Sequence, residues 1–375
     1  MPKSKQSITK TEKQLLKYIF LFQPVNKALL RLIGTNYDFT GRVISSLITK
    51  GLVENIAIKA THEKKENALQ LSDSGYRLIL PYITISDTLL YKNKNRIKGD
   101  DNKYRQYKLS SVISMFGPLF GDYTEQFLDI EHRLEYKLFP IEQEIKKRKK
   151  EHPNGFILTN REIRDMDEYN LRKVTATRSN GIAISNDSCY ILYNHNHKRM
   201  RSHGDFENKF KTYMEMTLPN NRISSIHFGR SYKPALDTLF KTSISQRETF
   251  IMSQSCHENT FFIPLTYNGA QQLRLYFIPK VKEKIAETLL EESEIERAHN
   301  TPYDGEAGNG DIIFLGFECD IQNIERIIYI LSTIKAGNGV TVFCFSHQQE
   351  FYKQVFKNQA TILPLAPAEL FKEIN

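Results

Sequence analysis

The stretch RSNGIAISNDSCYILYN, residues 178–194, could form part of a metal-dependent nuclease site if it carried carboxylates. Two short β-type runs flank the turn-like SND, an arrangement that many DNA-cutting enzymes use to carry acidic metal ligands. Mg²⁺ prefers oxygen ligands, and a nuclease needs it beside the scissile phosphate. Glu162 could supply one acid from the preceding helix, but Asn180, Tyr193 and Asn194 occupy the remaining places. We therefore predict a scaffold with no catalytic residues, no metal and no cofactor.

Two other constellations leave alternatives open. If the strands are misassigned, the carboxylates that could still form a nuclease site are Glu162, Asp187, Asp205 and Glu207. The run NHNHKRMRSH contains His195, His197 and His203, but no Cys or acid is correctly spaced beside them for zinc. We interpret this run as a basic loop at the end of a strand.

The elements that would position these residues alternate between strand and helix over residues 151–375. Strands separated by long helices predict a largely parallel sheet covered on both faces. The order of a helix with an acid, two strands and a helix is typical of a restriction-endonuclease-like core. We thus predict an α/β domain with such a core, lacking the usual acids, within an α+β multidomain chain.

Helical and then alternating patterns follow one another in the first 85 residues. KTEKQLLKYIFLF, PVNKALLRLIG and FTGRVISSLITKG each place apolar residues at helical spacing, the second opening with Pro24. LVENIAIKA and ALQLS alternate around the polar tip THEKKEN, which predicts a hairpin, and DSGYRLILPYI begins a further helix. This order predicts a winged helix-turn-helix DNA-binding domain over residues 1–85. LITKGLVE and LQLSDSGYRLI resemble the pattern of many bacterial winged-helix regulators.

The third of these helices would lie in the major groove of DNA. Its predicted core face consists of Phe39, Val43, Leu47 and Ile48. The predicted DNA-binding residues are Thr40, Arg42, Ser45, Ser46, Thr49 and Lys50 on the helix, and Lys64 and Lys65 on the hairpin. Arginine can read a guanine edge or hold a phosphate, and hydroxyls suit phosphates or base edges. The alternative is a winged helix that makes protein contacts.

Residues 86–150 are predicted to be a helical connecting segment. In KYRQYKLSSVISMF the apolar and aromatic residues have near-helical spacing, and KKRKK, residues 146–150, could be a solvated helix end or a phosphate contact. The four cysteines contain no CxxC pair, and no apolar run reaches the length of a membrane span. With no signal peptide visible, we expect a cytoplasmic protein with reduced thiols.

The positive charge lies in the first quarter of the chain. Residues 1–100 hold 17 Lys and Arg against 8 Asp and Glu, a net +9, whereas residues 101–375 hold 35 of each. Such an asymmetry is expected of a module that binds a polyanion. It favours double-stranded DNA as the partner of the N-terminal domain.

The N-terminal module, KYRQYKLSSVISMF and the series TNREIR, RSNGIAIS, CYILYNHN and FENKFKTYMEM together resemble the replication-relaxation family of winged-helix proteins from bacterial plasmids and conjugative elements. The chain departs from the family pattern at the acids. The resemblance implies sequence-specific DNA binding in the replication or maintenance of a mobile genetic element. The alternatives are a metal-dependent nuclease with atypical acids and a winged-helix transcription regulator with an α/β sensor domain. A homodimer and complexes with replication or conjugation proteins are compatible with the sequence, and no membrane contact is expected.

Overall fold

The computed structural model describes residues 8–34, 36–59, 64–83, 99–120, 141–160, 162–163, 179–185, 187–198, 204–240, 257–293, 295–298, 303–333, 339–357 and 359–374. The chain divides into two compact units. The first comprises Met1–Arg148, Thr159–Tyr169 and Leu265–Tyr267. The second comprises Lys149–Leu158, Asn170–Pro264 and Asn268–Asn375.

The first unit opens with three helices. They are α1 (Lys10–Phe22), α2 (Lys27–Leu30, continued by a 3₁₀ turn Arg31–Ile33) and α3 (Tyr37–Thr49). The bounds of α1 match the predicted KTEKQLLKYIFLF because a capping box fixes its start. The Thr9 hydroxyl accepts from the Glu12 amide at 3.2 Å, and the Glu12 carboxylate accepts from the Thr9 amide at 2.9 Å.

The start of α2 differs from the prediction that Pro24 would lie in its first turn. Asn26 caps this helix instead, with its side-chain oxygen accepting from the amides of Ala28 and Leu29. An asparagine satisfies amide groups that would otherwise lack partners, which explains why the helix begins after it. Asn36 caps α3 in the same way, by accepting from the Phe39 amide at 2.8 Å.

A hairpin follows the helices, as the alternating pattern predicts. Its strands are β1 (Val53–Ile58) and β2 (Glu66–Leu71), antiparallel from the pair Val53 and Leu71 to the pair Ile58 and Glu66. A single bridge also joins Val25 to Leu69. The remaining helices of this part are α4 (Asp73–Ile79), α5 (Asp100–Met115), α6 (Gly117–Phe120) and α7 (Ile141–Glu151).

The described part of the predicted middle segment is helical, and α5 packs on the N-terminal helices. The buried Tyr18 hydroxyl of α1 donates to the Ser110 carbonyl at 3.0 Å and lies 2.9 Å from the Ser114 hydroxyl. The Asn26 amide donates to the Tyr107 hydroxyl at 2.8 Å. Buried polar groups are costly unless they find partners, so these bonds fix the position of α5 on α1 and on the cap of α2.

The buried face of α3 is rotated from the predicted one. Thr40, Ile44 and Leu47 are buried, whereas Phe39 is exposed and Val43 is half-buried. Thr40 tolerates burial because its hydroxyl donates to the Asn36 carbonyl at 2.6 Å, which satisfies the polar group inside the helix. The prediction that Phe39 and Val43 belong to the core face is therefore wrong.

The second unit contains two five-stranded sheets. The first has the order β3-β4-β5-β6-β7. Its strands are β3 (Phe156–Thr159), β4 (Gly181–Ile184), β5 (Ser188–Asn196), β6 (Arg222–Gly229) and β7 (Thr260–Pro264). β4 and β5 are antiparallel, and β5, β6 and β7 are parallel. The parallel pair β5 and β6 is connected through α8 (Gly204–Thr217), and α9 (Lys233–Phe240) follows β6.

The second sheet has the order β12-β11-β10-β9-β8. Its strands are β8 (Glu296–Arg297), β9 (Gly305–Glu306), β10 (Ile312–Leu315), β11 (Val340–Phe345) and β12 (Thr361–Leu365). β10, β11 and β12 are parallel, while β8 and β9 are short and antiparallel. A single largely parallel sheet was therefore the wrong prediction, because antiparallel strands border the parallel strands of both sheets.

Further helices complete the second unit. They are α10 (Tyr267–Gln272), α11 (Arg274–Phe277), α12 (Val281–Glu292), α13 (Ile321–Thr333), α14 (Gln349–Phe356) and α15 (Pro367–Ile374). The chain is thus α+β with two mixed sheets. Within the residues that the structure describes, none of the helices is both long and apolar enough to span a membrane.

Three of the four cysteines are buried free thiols. Cys189, Cys319 and Cys344 are buried, and burial raises the pKa of Cys189 and of Cys344 to about 12. A thiol with so high a pKa is not ionised at neutral pH and is a poor nucleophile. Cys256 lies outside the described residues.

The rotation of α3 can be tested by substitution. We expect Ile44→Ala to lower the free energy of unfolding by about 2–5 kcal/mol, because it leaves a cavity at a buried position. Val43→Ala should lower it by less than about 1 kcal/mol, since Val43 is only half-buried. Urea unfolding of the full chain measures both changes in free energy. A larger loss for Val43→Ala than for Ile44→Ala would show that the face predicted from the sequence is the buried one.

Candidate nucleic-acid interface

One face of α3 carries four exposed side chains. Asp38, Arg42, Ser45 and Thr49 are all exposed, and they follow one another by four, three and four residues. This spacing places them along a single stripe of the helix. Arg42, Ser45 and Thr49 were predicted DNA-binding residues, and the structure brings them together. Asp38 was not predicted, although its spacing to Arg42 is visible in the sequence.

The exposed stripe offers one cation, one carboxylate and two hydroxyl groups. The Arg42 guanidinium lies 5.8 Å from the ring centre of Phe39. The Ser45 hydroxyl donates to the Gly41 carbonyl and the Thr49 hydroxyl to the Ser45 carbonyl, each at 3.1 Å. In this arrangement the hydroxyl oxygens still have acceptor capacity. The stripe can therefore meet both anionic and hydrogen-bond-donating groups.

Three predicted site residues are placed differently. Thr40 is buried and cannot contact DNA, for the reason given above. Ser46 is half-buried on the side of the helix. Lys50 is exposed but forms an ion pair with the buried Glu12 carboxylate, so its charge is partly neutralised within the protein. Burial raises the pKa of Glu12, but hydrogen bonds from Lys50 and Thr9 outweigh burial and lower the pKa overall.

The two predicted lysines of the hairpin are exposed. Lys64 and Lys65 directly precede β2, and Lys59, which follows β1, is exposed as well. Ala60 of the predicted first strand and residues 61–63 of the predicted tip lie outside the described residues. Three cations thus stand at the open end of the hairpin, where a winged module would place its contacts to a DNA backbone.

A hollow lies between α2 and α3, next to the exposed stripe. It is lined by Lys27, Arg31, Asp38, Gly41, Arg42, Ile44 and Ser45. Arg31 and Asp38 form an ion pair of 2.7 Å, so the charged groups of this hollow leave a positive excess. Lys27 and Arg31 were not predicted, because they belong to the preceding helix and its 3₁₀ turn and only the tertiary arrangement places them beside α3.

In the described part of the stretch 178–194, Tyr193 contacts a carboxylate of the second unit. The Tyr193 hydroxyl donates to the buried Glu207 carboxylate, and the backbone N–H of Asn180 donates to the Leu192 carbonyl at 2.6 Å. Asp187 is exposed at the turn before β5, six residues from Tyr193, which is about 20 Å along a strand. The side chain of Asp205 lies outside the described residues. Among the residues that the structure describes, no three His, Cys, Asp or Glu side chains are arranged to hold a metal ion.

Glu162 belongs to the first unit and is engaged in a buried network. Its carboxylate accepts from the amide of Thr159 at 2.8 Å and from the Thr159 hydroxyl at 2.7 Å. The Arg148 guanidinium lies 3.4 Å from Glu162 and 2.7 Å from Glu144. Arg148 is therefore a buried member of the KKRKK run, not a solvated one, because two carboxylates compensate its desolvation.

A buried group of histidines lies on the first sheet of the second unit. His195 is in β5 rather than in a basic loop, which corrects the interpretation of NHNHKRMRSH. Its Nε2 atom lies 2.8 Å from Nδ1 of His227, whose Nε2 atom lies 3.0 Å from the Ser225 hydroxyl. The Tyr193 ring stacks on His227 at 4.7 Å. His203 lies outside the described residues.

Burial favours the neutral form of two of these histidines, His227 and His257. It lowers the pKa of His227 well below its usual value, and the neighbouring His195 and His257 lower it further. Burial also lowers the pKa of His257 to about 4, with a smaller effect from the charge of Lys211. Neutral imidazoles at neutral pH can exchange hydrogen bonds with each other and with Ser225, so the group is a connected polar network inside the sheet.

No family model, curated protein or solved structure matches the chain.

The histidines generate a prediction about pH. The folded-state pKa of His257 is about 4, below the 6.5 of an ordinary histidine, so the unfolded chain takes up this proton first as the pH falls. The stabilisation is present above about pH 6.5 and is lost as the pH approaches 4. We expect urea unfolding to show this loss and His257→Gln to reduce it. An equally steep loss in His257→Gln would show that other groups carry it.

Proposed function

We propose that the first unit binds double-stranded DNA as a winged helix-turn-helix, with α3 in the major groove. The observation that carries this proposal is the exposed stripe of α3, on which Arg42, Ser45 and Thr49 face outward together. A recognition helix must present polar side chains along one face while its opposite face packs on the core. The burial of Ile44 and Leu47 satisfies the second requirement.

The order of elements supports the same proposal. The helices α1, α2 and α3 are followed by the hairpin of β1 and β2, and the Val25–Leu69 bridge ties the segment before α2 to that hairpin. In helix-turn-helix proteins the second helix of the motif enters the groove and the first crosses the backbone. On this basis α2 and the hairpin would contact phosphates while α3 contacts base edges.

The exposed cations match this division of roles. Lys27 at the start of α2 and Lys64 and Lys65 beside the hairpin are exposed and suit phosphate contacts. Arg42, in the middle of the stripe, suits a guanine edge, which offers two acceptors to a guanidinium. The net charge of +9 in residues 1–100 adds attraction to any DNA sequence.

For the role of DNA binding, we propose replication or maintenance of a plasmid or conjugative element. The support for this role is the resemblance of the sequence to replication-relaxation proteins. A transcription regulator would use the same interface, and its second unit would then sense a ligand. Deleting the gene from its natural replicon and measuring copy number and inheritance separates these roles, since a regulator of other genes would leave both unchanged.

Binding by the full chain can be measured by fluorescence anisotropy with duplexes selected from a random pool. Five exposed cations, Lys27, Arg42, Lys59, Lys64 and Lys65, predict a slope of log affinity against log salt of about −4.5. We expect Arg42→Ala to weaken binding to the selected site by about 1–3 kcal/mol.

The matched control is Arg77→Ala, since Arg77 is an exposed arginine on α4 of the same unit and lies outside the stripe. This variant should bind like the parent. A slope near zero, or equal effects of Arg42→Ala and Arg77→Ala, would contradict binding through α3.

We also expect no cleavage of DNA with Mg²⁺ or Mn²⁺. A magnesium site needs carboxylates that are available to the ion. The Glu162 carboxylate forms an ion pair with Arg148, and the Glu207 carboxylate accepts a hydrogen bond from Tyr193. Plasmid nicking by purified full chain tests this, beside Glu162→Gln and Glu207→Gln. Cleavage by the parent that either substitution removes would establish the nuclease alternative.

A further inference from the structure

An acidic side chain stands at the start of the exposed stripe of α3. The Asp38 side chain is 87% exposed and lies one helical turn before Arg42. A carboxylate on a surface that meets DNA is repelled by the phosphates, so its presence there requires a reason. The surroundings of Asp38 supply one, because they hold this carboxylate in place and partly compensate its charge.

Arg31 holds Asp38 from the neighbouring 3₁₀ turn. Its Nη2 atom lies 2.7 Å from Oδ1 of Asp38, and its Nε atom donates to the Tyr37 carbonyl at 3.2 Å. The guanidinium also lies 3.9 Å from the ring centre of Tyr37. These three contacts use the fork geometry of arginine and its stacking on aromatic rings, so a lysine could not replace it.

Gly41 gives Arg31 the room to lie against α3. A Cβ atom at residue 41 would lie 2.7 Å from Nε of Arg31, which is closer than such atoms approach. The glycine is exposed to the same hollow as Asp38 and Arg42. Glycine is unfavourable inside a helix. At residue 41 it lowers the stability of α3 but allows the Arg31 side chain to approach the helix closely.

We propose, resting on the DNA-binding function proposed above, that Asp38 is a specificity-determining residue that selects a cytosine in the major groove. The Arg31 contact uses Oδ1, and Oδ2 can accept a hydrogen bond from the cytosine N4 amino group. Guanine and thymine present acceptors that repel a carboxylate. Adenine presents its amino group beside the N7 acceptor, which disfavours the second carboxylate oxygen.

The distance to Arg42 sets where this cytosine lies. Four residues of helix advance about 6 Å, and successive base pairs are about 3.4 Å apart. A guanine read by Arg42 and a cytosine read by Asp38 therefore fall within about two base pairs of each other. The acid also disfavours other sequences, because its Oδ2 atom meets no donor at a site that lacks the amino group.

The test is selection of duplex sites from a random pool by the full-length parent, Asp38→Asn and Gly41→Ala. We expect the parent to prefer cytosine at one position, within about two base pairs of the position that Arg42→Ala affects. In Asp38→Asn the preference for cytosine over the other bases should fall about tenfold. This variant should also bind non-selected DNA more tightly, because the repulsion between the carboxylate and the phosphates is removed. Gly41→Ala should weaken the same preference by displacing Arg31.

Asp73→Asn is the matched control, since Asp73 is an exposed acid in the first turn of α4. It should select the parental site, and the urea unfolding transition should confirm that each variant folds. If Asp38→Asn selects the parental site with unchanged preference, the cytosine contact is wrong while DNA binding stands. If the parent binds no duplex at all, the proposed function itself fails.

Discussion

The rotation of α3 about its own axis is the constraint on which the candidate N-terminal interface depends. Ile44 and Leu47 are buried, and Thr40 joins them because its hydroxyl is satisfied within the helix. Residues three and four apart share a helix face, so burial of this stripe leaves the opposite stripe in water. A rotation by one residue, about 100°, would move Arg42 from the exposed side to the flank of the helix. The Glu12–Lys50 ion pair holds the end of α3 to α1 and opposes such a rotation.

Local signals in the sequence predicted the elements better than their assembly. The capping box at Thr9 and the alternation of β1 and β2 are encoded by near neighbours, and those elements were found where expected. The buried face of α3 was predicted wrongly. Thr40 has a polar side chain and was assigned to the exposed side, whereas its hydrogen bond to the Asn36 carbonyl allows it to be buried. The division of the strands into two mixed sheets depends on pairing between distant residues, such as those of β10, β11 and β12.

The candidate site shows the same division between local and distant information. Arg42, Ser45 and Thr49 were found from their helical spacing, whereas the contribution of Arg31 arises from the packing of one helix on another. Lys50 and Arg148 look like free cations in the sequence, yet Glu12, Glu144 and Glu162 compensate them inside the fold. The number of charged residues can be read from the sequence, but only the tertiary structure shows which of these charges form ion pairs within the protein.

The contacts of Arg31 have a consequence for the thermodynamics of recognition. A long side chain that becomes fixed at an interface loses about 0.5–1.5 kcal/mol of rotamer freedom on association. Arg31 is already fixed by the Tyr37 ring, the Tyr37 carbonyl and the Asp38 carboxylate. The Arg31 side chain therefore loses its rotamer freedom when the protein folds, and not when a ligand binds. A ligand entering this hollow meets a surface close to its bound shape, so that association there has a smaller unfavourable entropy than at a flexible basic patch.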